Sequence, residues 1–225
     1  AVEAENHLIV AHEVTMHGYD RDALSMMAVA ARDAMATDRI EAIADKGYYK
    51  SEEILACEEA GIAVVVPKPQ TSNAGARGRF DKADFAYEAE NDVYICPAGE
   101  RLIYRFTGPQ DGKAIRVYWS SNCADCVIKD KCTSSKQRRI RRWEHEEVLE
   151  RVQRRLDKDP TQLAVRSMTV EHPYGTIKSW MGATHFKMRR LKNVATEMAL
   201  HVLAYNMTRV MKIIGVPALI AAMSA

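Results

Sequence analysis

The spacing of hydrophobic residues changes character twice along this chain, and those changes mark out its elements. Residues 7–14 (HLIVAHEV) have the apolar centre of a strand, and residues 20–36 place Ala23, Met26, Met27, Ala30 and Ala34 on one face of a helix. Residues 39–44 read as a short strand, 51–60 as a helix that Ser51 could cap, and 62–66 as a strongly apolar strand. Strands alternating with helices in this way predict a layered α/β domain. Pro67 and Pro69 end it, and residues 71–78, rich in Ser, Asn, Gly and Arg, predict a mobile basic loop.

From residue 80 to about 142 the texture shifts to short strand-like pieces, 92–96, 101–106 and 114–119, separated by Gly and Pro turns. This reads as an insertion. The helical period then returns. Residues 142–156 form a charge-laced amphipathic helix in which Glu146, Glu147 and Glu150 can pair with Arg151 and Arg154. Asp159-Pro-Thr-Gln162 has the form of a helix start, with Pro at the first helical position, and Pro173 should disturb that helix or mark a fresh start near Thr169. Residues 193–214 carry Val194, Met198, His201, Val202, Tyr205 and Val210 at helical spacing, a stripe that reads as core. The expected organisation is therefore 1–70 as the first part of an α/β core, 71–142 as the insertion, and 143–225 as a helical remainder.

With 225 residues, 47% of them hydrophobic, the chain can bury one good core or one core and a satellite, which excludes a disordered protein. The apolar stretch at 213–223 is interrupted by Gly215 and Pro217 and is too short for a bilayer, so the expectation is a soluble, cytoplasmic protein with no membrane partner. The net charge of +2 is ordinary, but its distribution is not. Between residues 136 and 155, eight positions are Lys or Arg against four Glu, and residues 178–192 include Lys187, Arg189 and Arg190 with no acid. Such local density predicts a polyanionic partner.

Two carboxylates carry the candidate chemistry. Asp45, in Ala44-Asp45-Lys46-Gly47, stands where a strand breaks into a turn, the end of an α/β layer at which ligands and metals collect. Glu171 lies in a helix-like stretch flanked by cations and, if residues 171–178 are helical, shares a face with Tyr174 or Gly175 and Lys178. Together they suggest a divalent-metal site for work on phosphate; singly, they read as a solvated turn and an exposed helix Glu. Four of the five cysteines fall in the insertion: Cys96, Cys123 and Cys126 in a Cys-x-x-Cys knuckle, and Cys132. They fit either a structural zinc site with four thiolates or ordinary reduced, partly buried thiols. Cys57 reads as core filler.

The strand HLIVAHEVT, the run Ala-Asp-Lys-Gly-Tyr-Tyr, the Cys-Pro-Ala-Gly and Cys-x-x-Cys cluster, Arg166-x4-Glu171-His-Pro-Tyr-Gly-Thr-Ile-Lys178 and Phe186-x-x-Arg-Arg-Leu-Lys-Asn together resemble the catalytic half of bacterial insertion-sequence transposases of the DDE type. The resemblance runs nearly the whole chain. It implies a ribonuclease H-like core, incomplete here at the N-terminus, and three acids holding Mg2+ (or Mn2+). Asp45 matches the second acid and Glu171 the third. Arg166 and Lys178 match the basic residues that bracket that Glu, and His172, Lys187, Arg189 and Arg190 fall beside DNA. The implied partners are double-stranded DNA, both terminal inverted repeats and target, and a second copy of the chain in a DNA-bound homodimer.

The departures are specific. No Asp stands at the first acid's place, and Glu3 is the nearest match, tentative because its extra methylene moves the oxygens. Leu163, Ala164 and Val165 offer no Tyr, and Arg166 stands one residue further from the Glu than the family's signature places it. The expectation is a fragment or decayed gene product with weak or absent cleavage. Two other classes fit the same residues, a non-catalytic DNA-binding module and a structural zinc-stapled protein with no DNA role.

Overall fold

Leu24, Ala28 and Ala31, spaced four and three residues apart, form the buried stripe of the first helix, α1 (Leu24–Ala34). It is shorter than the 20–36 span expected, because Asp20 and Ala23 close only a turn and Ala36 adopts a left-handed φ of 48°. Strand β1 (Glu41–Ile43), helix α2 (Ser51–Glu59) and strand β2 (Ala63–Val65) follow, and the strands pair in parallel with Ala42 opposite Val64. Parallel neighbours need a crossover, and α2 supplies it. Ser51 is the first helical residue; Lys50, in extended conformation, takes the cap position. Ile54, Cys57 and Val64 are fully buried and pack with Leu24, Ala28, Ile62 and Val66. Each large aliphatic in that cluster contributes roughly 1.5–3 kcal/mol.

The strand expected at residues 7–14 does not form. The segment has only an isolated antiparallel bridge, Val2 to Ile9, and His7 has a φ of 58°, outside strand geometry. Side chains satisfy its backbone instead. Asn206 accepts from Ile9 N–H (3.0 Å) and donates to Ile9 C=O (2.8 Å), while Arg209 donates to Asn6 C=O (2.7 Å).

The computed structural model describes residues 1–70 and 72–224, which fall into two units, Gln70–Glu147 and the remainder on either side of it. Thr71, at the start of the expected basic loop, lies outside the described residues; the rest of that loop contains a 3-10 turn at Gly75–Arg77. Within Gln70–Glu147, β3 (Ala86–Glu88), β4 (Val93–Ile95), β5 (Arg101–Gln110), β6 (Lys113–Trp119) and β7 (Ile140–Trp143) make an antiparallel sheet in chain order. A one-turn helix, α3 (Lys129–Cys132), lies between β6 and β7. Phe85, Tyr94, Leu102, Tyr118 and Ile140 form this unit's core. The Tyr87 and Tyr118 hydroxyls both donate to Asp92 at 2.8 Å, and Arg116 pairs with the same carboxylate.

Helix α4 (Glu146–Lys158) returns the chain to the first unit, where its Val148 and Val152 complete the core. Arg155 pairs with Glu58 of α2 and Arg151 stands 3.8 Å from the same carboxylate. Helix α5 (Gln162–Gly175) begins two residues beyond Pro160, and Asp159 accepts from Thr161 N–H (3.1 Å) ahead of it. It packs on β1 and runs through the buried Pro173 without stopping. The donor lost at proline is followed by a wider π-helical turn, Thr176–Trp180, in place of a break. Helices α6 (Leu191–Ile214) and α7 (Val216–Met223) meet at Gly215, whose φ of 83° bends the pair by 113°. Among the described residues no single helix is long and apolar enough to cross a membrane. The whole is a mixed α/β protein.

Candidate DNA-processing site

Asp45 follows β1 and caps the 3-10 turn Lys46–Tyr48. Its Oδ1 accepts the Gly47 N–H at 2.8 Å, and a Cβ on Gly47 would lie 2.9 Å from that oxygen, so the turn needs glycine to keep the carboxylate in place. Its Oδ2 accepts from Arg166 Nη2 at 2.8 Å. Because α5 packs on β1, the helix that carries Glu171 thus reaches the acid at the strand end. The pair is partly exposed, 46% for Asp45 and 25% for Arg166, so it contributes no more than about 1 kcal/mol to stability. Beside it, the Tyr48 phenol is pushed up by burial and by the negative charges of Asp20 and Asp45, with Tyr174 adding to the effect.

The other two sequence-predicted acids are engaged elsewhere. Glu171 is exposed, and its Oε1 accepts from Ser167 Oγ one turn earlier at 2.7 Å. Glu3 accepts N–H bonds from Glu5 (2.9 Å), Asn6 (2.8 Å) and Leu8 (3.0 Å), closing the N-terminal turn on itself. Burial would raise its carboxyl, but those donors and the neighbouring His7 outweigh it and hold Glu3 below its ordinary 4.5. Among the described residues, no three His, Cys, Asp or Glu side chains are placed to hold a metal ion. The residues as arranged therefore do not fit a three-carboxylate magnesium centre, and Glu3 in particular acts as a local staple.

The candidate cations fall into two groups. His172 is tied into the fold: the Tyr205 hydroxyl donates to His7 C=O at 2.8 Å, so the 2.9 Å contact between His172 Nδ1 and that hydroxyl makes the imidazole the donor. Burial, with Arg209 and His7 nearby, pushes its pKa down and favours the neutral ring. Lys178, Lys187, Arg189 and Arg190 are exposed, and none forms an ion pair with a carboxylate among the described residues. Lys178 stands 6.0 Å from the Tyr174 ring centre. The segment bearing the other three is fixed at its middle, where Glu197 of α6 accepts the Lys187 N–H (2.9 Å) and Met188 N–H (2.9 Å). Sequence reasoning passed over Trp180, 88% exposed in the same stretch; its signal was an indole two residues after Lys178 in a run without acids.

In the other unit, Cys96, Cys123, Cys126 and Cys132 line one cavity of about 30 Å³, all as free thiols. Burial pushes the Cys132 thiol up, Arg138 opposes that, and the three neighbouring thiols add to it. They converge on one cavity without forming a metal-holding group. Cys57 is wholly buried, as the apolar setting of its helix predicts, and burial pushes it up to about 12.

A strand-end acid bound to a helical arginine, in a chain that also carries an acid-free cationic segment, suits this mixed α/β protein to a polyanion. Residues 95–211, just over half the chain, match the transposase DDE domain family, and the chain belongs to that family. The matched stretch contains Arg166, Glu171, Lys178, the basic segment and all four clustered cysteines, whereas Glu3 and Asp45 precede it. Membership implies DNA as the partner, and DDE domains generally work with divalent metals. No curated protein and no solved structure matches the chain.

Proposed function

We propose that this chain acts on DNA at insertion-sequence ends, in phosphodiester cleavage and strand transfer, and that cleavage by the chain itself is weak or absent. The observation that carries the reading is the Asp45–Arg166 contact, which ties the acid at the end of β1 to the helix bearing Glu171. On this reading β1, α2 and β2 belong to a ribonuclease H-like core, Asp45 and Glu171 stand at the positions of two of its acids without being gathered into a metal-holding group, and Lys178, Lys187, Arg189 and Arg190 meet phosphates. Such cations add affinity through counterion release without reading sequence. The commitment of Glu3 to three backbone donors supports weak turnover, because a ligand already saturated with hydrogen bonds is costly to withdraw.

The test is a nicking assay with Mg2+ or Mn2+ on duplex DNA carrying terminal inverted repeats, run beside a binding assay. Salt-sensitive binding with little nicking is expected, and Asp45→Asn should leave binding intact. Robust Asp45-dependent turnover overturns the weak-activity part; absence of DNA binding overturns the whole. The four thiols line one water-sized cavity but do not form a metal-holding group as arranged, so a structural Zn2+ there would require them to draw together on binding. Stoichiometric zinc uptake, lost in Cys123→Ser/Cys126→Ser, is the expected outcome; no uptake by the reduced protein overturns it.

A further inference from the structure

The sheet of Gln70–Glu147 has two unlike faces. One carries Leu102, Tyr118 and Ile140 into the core. The register Ile103 to Trp119 and Val117 to Arg141 places the alternate residues on the opposite face, where Ile103 and Phe106 are 44% and 47% exposed, while Val117 and Trp143 on the same face are buried. This second face is cationic. Arg101 and Arg105 come from β5, Arg139 directly precedes β7, and Arg141 lies within it, while β5, β6 and β7 contain no Asp or Glu at all. None of the four arginines makes an ion pair with a carboxylate among the described residues.

Trp119 organises them. The guanidinium carbons of Arg105, from the strand on one side, and Arg139, from the other, each stand 5.2 Å from its ring centre, and Phe106 meets the same ring edge-on at 6.1 Å. Alternation from Ile103 already sets Arg105 on the indole's face, and the register shift between Tyr104 and Phe106, which puts Phe106 opposite Val117, brings Phe106 onto it as well. Arg105 is fixed further by donating to Trp119 C=O and Ser121 Oγ, both at 3.2 Å, which leaves three of its five N–H donors unspent. Stacking holds a guanidinium fork in one plane before any ligand arrives, which lowers the entropy lost on gripping a phosphate. Strand rise and spacing spread the four arginines over roughly 13 Å by 10 Å, the span of a few successive phosphates.

We propose that this face is a second DNA-contacting surface, a β-sheet platform that grips the phosphate backbone through Arg101, Arg105, Arg139 and Arg141, with Trp119 as the residue that positions two of them. The inference rests on the DNA-binding reading above and adds a surface which that reading does not use. Backbone contact makes it indifferent to sequence and steeply sensitive to salt.

The test measures binding of the full chain to a short duplex of arbitrary sequence between about 50 and 200 mM salt. Arg139→Gln/Arg141→Gln should make the log–log salt slope shallower by about 2 and lower affinity roughly 50-fold near 0.1 M, because each lost phosphate contact removes about 0.9 from the slope. Arg139→Lys/Arg141→Lys should keep the slope, since charge is retained, while losing part of the affinity with the planar fork. Near-ultraviolet circular dichroism of the buried tyrosines checks that the sheet stays folded. Lys187→Gln/Arg189→Gln, in the other unit, is the reference. If that variant weakens binding while the folded Arg139→Gln/Arg141→Gln protein keeps the wild-type slope, the platform is refuted and the reading above stands. If the unaltered chain shows no DNA binding, both fall.

Discussion

Glu3 shows how one side chain's hydrogen bonds decide between two roles. As a candidate metal ligand it needed free oxygens, yet its carboxylate accepts from Glu5, Asn6 and Leu8 and is held below its ordinary 4.5 against the opposing effect of burial. A carboxyl whose folded pKa is depressed stabilises the fold fully above the unfolded value, and that stabilisation is lost as pH falls through the folded value. Glu3→Gln should therefore lower stability at neutral pH by about 1–2 kcal/mol and flatten the decline that the wild type shows below about pH 4.5. Urea midpoints measured from neutral to acid pH check this; an identical acid decline in both proteins would show that the turn does not depend on the charge. Asp45 was legible because Asp-x-Gly is a turn signal with a mechanism, whereas the saturation of Glu3 was not, since no spacing rule reports three backbone donors converging on one carboxylate.

At the scale of elements, the sequence located the helices well because their faces repeat over several turns. Helix α6 was expected at 193–214 and spans Leu191–Ile214, with Val202 and Tyr205 buried on the predicted stripe. The short elements were less legible. HLIVAHEV has the composition of a strand, but a strand exists only where a neighbour takes its backbone bonds, and here the Asn206 side chain, 197 residues away, takes those of Ile9 instead. Pro173 misled in the opposite direction, because the helix runs through it and the Thr169 carbonyl it deprives of a donor lies 3.5 Å from His7 Nδ1. Long-range pairing also explains the basic helix α4. Intrahelical partners were expected for Arg151, yet it and Arg155 reach Glu58 of α2, whose side chain is only 11% exposed. Glu58→Ala should cost about 2–4 kcal/mol in urea unfolding, since it strands Arg155 beside the Val64 carbonyl. Adding Arg155→Met should recover part of that loss. A single-variant cost below roughly 0.5 kcal/mol would mean the clamp behaves as a surface pair.

For the whole molecule, the net charge of +2 conceals the property that matters, the separation of cations into an acid-free segment in one unit and, in the other, a sheet face whose strands β5, β6 and β7 carry no acid. The five thiols divide between the same units and offer a way to observe each unit alone. Cys57 is 0% exposed in the first unit and shifted to about 12 by burial, so its thiolate fraction at mildly alkaline pH is about a thousandfold below that of an unperturbed thiol. It can react only when the core of α1, α2, β2 and α4 opens. Cys96, Cys123 and Cys126 are half-buried around a cavity and need no such opening, while Cys132, raised by burial and by its neighbours, should lag behind them. Labelling of the folded, reduced and metal-free protein with a disulfide reagent should therefore show a fast phase from the cluster and a slow phase from Cys57. Only the slow phase should accelerate steeply with urea, because only that one requires cooperative exposure of buried surface. Labelling of all five thiols at one rate, without dependence on denaturant, would mean that the core around Cys57 is open in solution, and with it the strand end that presents Asp45.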